Sequence, residues 1–203
     1  MLKILRTLII VLLLTASGSN VSADQLEDGI AAYQRGDFAT ALRLFQPLAE
    51  QGDASAQSNL GVMYEQGRGV AQNYREAMRW FRLAAMQGDA SAQSNLGVMY
   101  FKGQGIAQDF REAMRWYWLG AGQGNAEAQF NLGVMYEQGR GVPQDLLRAH
   151  MWFNLAASQS SDENGKLAIK NREGVTRRLT RAQVFEAQEM ARHCEANGFK
   201  NCD

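Results

Sequence analysis

The sequence has few of the residues that build catalytic and metal centres, with two histidines and two cysteines among 203 residues. It contains no His-Glu-x-x-His, no Gly-x-Ser-x-Gly and no serine–lysine motif, which are signatures of common hydrolases. An excess of one charge is also lacking, with 21 basic and 21 acidic residues, so nothing indicates nucleic acid as a partner. We therefore expect no catalytic residues, no cofactor and no metal.

Both cysteines, Cys194 and Cys202, lie near the C-terminus. In an exported protein such an even pair is expected to form a disulfide, and closing so short a loop stabilises the fold by about 2–3 kcal/mol in the chain-entropy model. Redox catalysis is a second interpretation, although the spacing is not Cys-x-x-Cys. Metal binding together with His193 is the third, although a closed zinc site takes a fourth ligand. We predict a structural disulfide.

Residues 1–23 have the pattern of a cleavable secretory signal. Lys3 and Arg6 precede an apolar run over 8–14, and Val21-Ser22-Ala23 resembles a cleavage site. The run is shorter than the roughly 20 residues of a membrane span, although an uncleaved anchor is the alternative. We expect cleavage near Ala23 and a periplasmic or secreted mature chain with no membrane span, which keeps 19 basic and 21 acidic residues.

One stretch of sequence recurs at a fixed spacing. Asn-Leu-Gly-Val-Met-Tyr ends at Tyr64, Tyr100 and Tyr136, which are 36 residues apart. A fixed period of this size is typical of solenoids, in which each unit buries its apolar face against its neighbours. In the first copy, Asp53 is the expected N-cap of one helix and Gly67 its C-terminal stop. The sequence predicts helix-turn-helix repeats.

Four segments are expected along the chain: the signal at 1–23, an N-terminal capping hairpin at 24–53, three repeats at 54–160 and a C-terminal helical cap at 161–203. The hairpin is a shortened unit, because its turn is five residues shorter than the later ones. Terminal units of a repeat array often differ in this way. In the tail we expect a helix over 166–179 and a second helix capped by Thr180 and Gln183.

Two sets of glycines recur with the repeats. The first lies inside the first helix of each unit: Gly61, Gly97 and Gly133. Glycine there costs about 1 kcal/mol relative to alanine, so we expect close packing beneath a tryptophan of the second helix. These tryptophans are Trp80, Trp116 and Trp152. The second set, which begins with Gly67 and Gly69, indicates loops with positive φ. A phosphate-binding loop is the alternative, although no strand precedes it and no Gly-Lys-Ser/Thr follows.

The repeat motifs carry a family resemblance. Ala-x-Ala-Gln-x-Asn-Leu-Gly-Val-Met-Tyr-x-x-Gly-x-Gly and Ala-Met-Arg-Trp-Phe-Arg-Leu-Ala-Ala-x-Gln-Gly resemble the Sel-one-like repeat (SLR), a relative of the tetratricopeptide repeat. The resemblance covers 54–160, and the tail at 179–188 is similar to the end of bacterial members. It implies a right-handed α-solenoid that mediates protein–protein contacts, often in signalling, envelope assembly or host interaction. Cysteine-rich members linked to penicillin binding or hydrolysis have cysteine pairs in their repeats, and this chain has none there.

The three copies differ at a small set of positions on one face of the first helix, at i, i+3 and i+10. These positions are Ser55, Ser58 and Glu65, then Ser91, Ser94 and Phe101, then Glu127, Phe130 and Glu137, with Gln66, Lys102 and Gln138 following them. We predict that this face lines the concave groove and binds a protein or peptide, with Phe101 and Phe130 as apolar anchors. The alternative is that these are unconstrained surface positions.

Arginines form two further groups, each interpreted as a solvated charged surface, with docking of an acidic partner as the alternative. One is on the second helices and comprises Arg75, Arg79, Arg82, Arg111 and Arg115. The other is in the tail and comprises Arg177, Arg178 and Arg181.

The sequence thus predicts a non-enzymatic interaction scaffold. The alternative is an envelope hydrolase that acts on peptidoglycan or β-lactams. His150 lies beside an apolar stripe and is interpreted as a packed or surface histidine rather than a general base. Glu127 and Glu137 are about 15 Å apart along one helix, too far for a glycosidase pair.

Overall fold

The computed structural model of the protein describes residues 23–160, 163–200 and 202, and the predicted signal at 1–23 lies outside the described residues except for residue 23. The described residues form ten helices and no strand, which confirms the predicted all-α class. The helices are α1 (23–34), α2 (Phe38–Glu50), α3 (Ala54–Gln66), α4 (Tyr74–Met86), α5 (Ala90–Lys102), α6 (Phe110–Ala121), α7 (Ala126–Gln138), α8 (Leu146–Gln159), α9 (Glu163–Thr176) and α10 (Arg181–Ala196).

The chain divides into two compact units, the first ending at Leu83 and the second beginning at Ala84. In the first unit α2 packs on α3, and the core gathers side chains such as Phe45, Leu60 and Trp80. In the second unit α5 packs on α6, α6 on α7 and α7 on α8, around a core that includes Tyr117 and Trp152. Each unit is therefore built by helices that cover the apolar faces of their neighbours in sequence.

The first helix of each full repeat begins and ends with the same local chemistry. The N-cap side-chain oxygen accepts a hydrogen bond from the backbone N–H three residues later. The distances are 2.7, 2.7 and 2.8 Å for Asp53, Asp89 and Asn125. A left-handed glycine ends the helix with φ of 68°, 69° and 67° in Gly67, Gly103 and Gly139. The predicted N-cap Asp53 and stop Gly67 are confirmed, and the loop glycines adopt the expected positive φ.

The glycines inside these helices lie against a different residue from the one that the sequence suggested. A Cβ atom on Gly61 would stand 2.6 Å from the Phe81 ring, and one on Gly133 would stand 2.6 Å from the Phe153 ring. Tyr117 lies over Gly97 in the same way. The prediction that tryptophans cover these glycines was wrong, because the covering residue is the next one along the second helix. Adjacent residues of a helix point about 100° apart, so only one of the two can face the glycine.

The recurring glutamine of the Ala-x-Ala-Gln motif has a structural role. Its amide nitrogen donates to a backbone carbonyl eight residues earlier, near the end of the preceding helix. The distances are 3.0, 3.2 and 3.4 Å for Gln57, Gln93 and Gln129, all of them buried. A buried amide that loses its hydrogen bond costs about 1–3 kcal/mol, which accounts for the glutamine in each copy.

The tail packs on the last repeat. Helices α9 and α10 both contact α8, and α9 also contacts α7. The two tail helices bury part of the last repeat that is exposed in the repeat before it. Leu155 in the last repeat is 2% exposed, whereas its equivalent Leu119 is 45% exposed. Helix α9 begins and ends three residues earlier than expected over 166–179. The capping box of Thr180 and Gln183 is present in both directions, as predicted.

The two cysteines are joined in the structure. Cys194, on α10, and Cys202 form a disulfide and are both buried. Between them Phe199 has a φ of 61°, and its ring lies beside Gly124 in the turn between α6 and α7. The disulfide loop thereby contacts the second repeat as well as its own helix.

Candidate interaction site

A pocket of about 210 Å³ lies among α5, α6, α7 and α9 in the second unit. Its lining residues are Val98, Phe101, Lys102, Tyr117, Glu127, Phe130, Asn131 and Asn164. The pocket brings together three of the nine residues predicted from sequence variation, Phe101, Glu127 and Phe130. They come from the last turn of α5 and the first turns of α7, so the site depends on the packing of adjacent repeats.

Phe101 is held on its side of the pocket by three contacts. The Gln108 side-chain amide donates to the Phe101 carbonyl at 2.7 Å, which joins the loop to the end of α5. The Phe101 ring meets Phe110 edge to face at 5.3 Å between centroids, and the Arg140 guanidinium lies 5.2 Å from the Phe101 centroid. Phe101 is half-buried. The contacts fix its ring without removing it from the pocket wall.

The opposite side of the pocket is built by the start of α7. The Asn125 cap sets the first turn, and Phe130 follows with its ring 5.5 Å from the Phe153 ring at a tilt of 47°. Phe130 and Asn131 are both half-buried, whereas Glu127 is exposed. This turn therefore places an apolar ring, an amide and a carboxylate at one pocket.

The charges at the pocket have opposite signs on its two sides. Lys102 is the last residue of α5 and Glu127 the second of α7, so each suits the dipole of its own helix end. Burial, and after it the Glu127 carboxylate, raises the pKa of the Tyr117 phenol beyond its usual range. Tyr117 is therefore a neutral wall of the pocket at physiological pH, and the formal charges are those of Lys102 and Glu127.

The other predicted residues lie outside this pocket. Ser55 and Ser91 are exposed, and Glu65 and Glu137 are half-buried. Arg178 of the tail forms an ion pair with Glu137 at 3.3 Å.

Two predicted positions are buried, so placing them on an exposed face was wrong. Ser58 is 8% exposed and Ser94 is not exposed at all. Helix α6 passes beside Ser94: a Cβ atom on Gly120 would stand 3.6 Å from the Ser94 backbone nitrogen, an ordinary van der Waals distance.

Five residues of the pocket were not predicted as site residues: Val98, Lys102, Tyr117, Asn131 and Asn164. Asn131 belongs to the constant motif, whose recurrence predicts the repeats rather than a binding surface. The sequence contains a signal that this asparagine has a particular role. Asparagine is a poor helix former and yet recurs inside the first helix as Asn59, Asn95 and Asn131. Asn164 lies in the tail, beyond the repeat register, and had no such signal.

The described part of the chain contains no group of three or more His, Cys, Asp or Glu residues able to hold a metal ion. Within the same ranges, no helix is long and apolar enough to cross a membrane. His150 is 2% exposed, as expected for a packed histidine, and burial followed by the Arg172 guanidinium lowers its pKa.

The arginines of the second helices make local contacts. Arg79 pairs with Glu76 at 3.1 Å and Arg115 with Glu112 at 3.5 Å, one turn apart in each case. The Arg79 guanidinium also lies 3.9 Å from the ring centroid of Trp80. Exposed pairs of this kind add about 0–1 kcal/mol, which agrees with a solvated surface.

Comparison with known proteins identifies the repeats. The family model described as "Sel1 repeat" matches residues 26–53, 54–89, 90–125 and 126–161. The chain belongs to the Sel1 repeat family. Its repeats are those of an all-α solenoid, and the model matches four of them, including the segment at 26–53 that the sequence suggested as a shortened opening hairpin.

Two solved structures of Sel1 repeat proteins are similar to the chain. A Sel1 repeat protein from Oxalobacter formigenes is 32% identical with a TM-score of 0.67, over 73% of this chain and 58% of that one. The second, c5321, is a protective antigen present in uropathogenic Escherichia coli strains and displays an SLR fold. It is 38% identical with a TM-score of 0.65, over 72% of this chain and 32% of that one. This chain therefore spans less than two thirds of either relative, and no curated protein matches it.

Proposed function

We propose that this Sel1 repeat protein is a non-enzymatic scaffold that binds another protein through the pocket between α5 and α7. The observation that carries the proposal is the convergence of Phe101, Glu127 and Phe130 on one pocket. These residues differ from their equivalents in the other repeats, whereas the residues that stack the helices are constant. Large apolar side chains in a pocket with a polar rim are the usual centre of a protein interface.

Catalysis is the competing function, in the form of an envelope hydrolase. The described residues offer no metal-ligand cluster, and His150 is buried, has a lowered pKa and is not among the pocket residues. Glu127 and Glu137 lie on one helix, and Glu137 pairs with Arg178. These observations favour binding over bond cleavage.

We place the protein in the periplasm or outside the cell. Support comes from the Cys194–Cys202 disulfide, which persists in oxidising compartments, and from the signal-like sequence at 1–23. Roles in envelope signalling, envelope assembly or host interaction fit that location.

In-cell photocrosslinking tests the proposal. A photoreactive phenylalanine analogue at position 101 or 130 is expected to capture the same partner, identified by mass spectrometry. The matched control is position 185, because Phe185 on α10 is 61% exposed and lies outside the pocket. Capture of the same proteins from position 185, or of none from the pocket, would reject the proposal.

The enzyme alternative has its own assay. The purified protein is incubated with a chromogenic β-lactam and, separately, with isolated peptidoglycan. We expect neither β-lactam turnover nor muropeptide release above buffer. Turnover that persists through repeated purification and is lost on a single side-chain replacement would establish a hydrolase instead.

A further inference from the structure

The size of the pocket limits what it can hold. Small-molecule sites usually enclose about 300–1,000 Å³, and this pocket measures about 210 Å³. Its apolar wall consists of Val98, Phe101 and Phe130, beside the neutral Tyr117. A cavity of this size and lining suits one large apolar side chain of a protein ligand better than a cofactor.

The charges of the pocket are specific to this pair of repeats. The position of Lys102 is glutamine in the other full repeats, as Gln66 and Gln138. The position of Glu127 is serine, as Ser55 and Ser91. Opposite charges on the α5 and α7 sides therefore occur together only at this junction of the full repeats, and complementary charge on a ligand fixes its orientation.

Amide groups complete the polar rim. Asn131 of α7 and Asn164 of α9 both line the pocket, and a side-chain amide carries an acceptor oxygen and a donor NH₂ group. This combination of acceptor and donor matches the N–H and C=O groups of an extended peptide main chain. The Asn131 amide would bind such a chain whatever its side chains, and the ring and charge positions would select among sequences.

We propose that the pocket binds an extended peptide segment whose large apolar side chain enters between Phe101 and Phe130. An acidic residue on one side of it faces Lys102, and a basic residue on the other side faces Glu127. The inference rests on the proposed scaffold function and names the class of ligand for the same site. The charge order is its distinctive part, because an apolar pocket alone would accept either order.

The test is selection of random dodecapeptides displayed on phage against the purified protein. We expect the enriched peptides to share a large apolar residue with an acidic residue on one side and a basic residue on the other. A charge-swapped protein, Lys102→Glu with Glu127→Lys, is selected in parallel and is expected to enrich the reversed order. An order that survives the swap, or enrichment with no charge order, would overturn the inference.

Milder variants protect the test against misfolding, since each change at the pocket introduces the residue of an equivalent repeat position. Lys102→Gln and Glu127→Ser are expected to weaken binding of an enriched peptide about twofold to fivefold, measured by fluorescence anisotropy. Phe130→Ser is expected to weaken it about tenfold or more, and Phe185→Ser to leave it unchanged. Equal affinities across all four variants would contradict the assignment of the pocket.

The crosslinking and the phage selection together distinguish this inference from the proposed function on which it rests. If crosslinking from positions 101 and 130 captures a partner but the selected peptides show no charge order, the ligand class is wrong and the scaffold function stands. If crosslinking captures no partner and selection enriches no peptide, both are wrong.

Discussion

Gly133 and Phe153 lie so close together that a Cβ atom on the glycine would stand 2.6 Å from the phenylalanine ring. Folded proteins do not contain Cβ contacts of that length, so the buried Phe153 can occupy its position only above a glycine. The Phe153 ring in turn supports Phe130 of the pocket, at 5.5 Å between centroids. The glycine of the constant motif therefore affects a residue of the variable site through one intervening ring.

Replacing Gly133 by alanine is expected to lower the free energy of unfolding by about 1–2 kcal/mol. Overpacking against Phe153 costs about 2–3 kcal/mol at so short a contact, which outweighs the roughly 1 kcal/mol that alanine gains in helix propensity. Urea unfolding followed by circular dichroism measures the change. The matched control is Gly174→Ala on α9, where the nearest atom would be 3.9 Å away and about 0.5–1 kcal/mol of stabilisation is expected. A Gly133→Ala protein as stable as the wild type would refute this account.

The helices were predictable because their signals are local. The cap at Asp53, the stop at Gly67 and the capping box at Thr180 each depend on residues within one turn. Even for α9, the observed first and last residues differ from the predicted ones by only three positions. The close packing of Gly61, Gly97 and Gly133 was also evident, although the residue above each glycine was not.

The pocket was only partly predictable because it depends on packing between repeats. Ser94 and Phe130 hold the same place in the repeat, yet Ser94 is buried while Phe130 is half-exposed. The repeat period places both residues on the same face of the first helix, and it does not report how far the neighbouring helices cover each of them. Asn164 reaches the pocket from the tail, whose path over α7 and α8 cannot be inferred from the repeat register.

The N-cap of α5 is expected to contribute about 1 kcal/mol. The Asp89 carboxylate accepts a hydrogen bond from the backbone N–H of Ala92 at 2.7 Å, and alanine at position 89 would leave that group without its partner. Asp89→Asn is the matched control, because Asn125 caps α7 in the same way at 2.8 Å. Urea unfolding should show a loss for Asp89→Ala and near wild-type stability for Asp89→Asn. Equal losses in both variants would mean that the charge, rather than the hydrogen bond, stabilises the helix.

Breaking the disulfide is expected to lower the free energy of unfolding by about 2–3 kcal/mol, because the loop between Cys194 and Cys202 spans only eight positions. The bond also holds Phe199 beside Gly124, and the Phe199 backbone N–H donates to the Cys194 carbonyl at 2.9 Å. Urea unfolding with and without reductant measures the effect. The double variant Cys194→Ser with Cys202→Ser should show the same loss and no response to reductant. A wild-type protein that is insensitive to complete reduction would contradict the prediction.

Acid is expected to destabilise the protein through His150. The side chain is 2% exposed and its Nδ1 atom has no hydrogen-bond partner among the described residues. Burial, and after it the Arg172 guanidinium, lowers the pKa of His150 in the folded state, whereas in the unfolded chain it is about 6.5. Between those two pKa values the unfolded chain binds a proton that the folded chain does not. Stability is therefore fully present above about pH 6.5 and falls as the pH decreases towards the folded-state pKa.

Urea midpoints between pH 7.5 and pH 5.5 measure this effect in a pair of matched variants. His150→Gln removes the titrating group and is expected to flatten the decrease in stability. His193→Gln is the control, because His193 is exposed on α10 and its loss should leave the wild-type slope unchanged. Equal slopes in the wild type and in His150→Gln would exclude His150 as the cause.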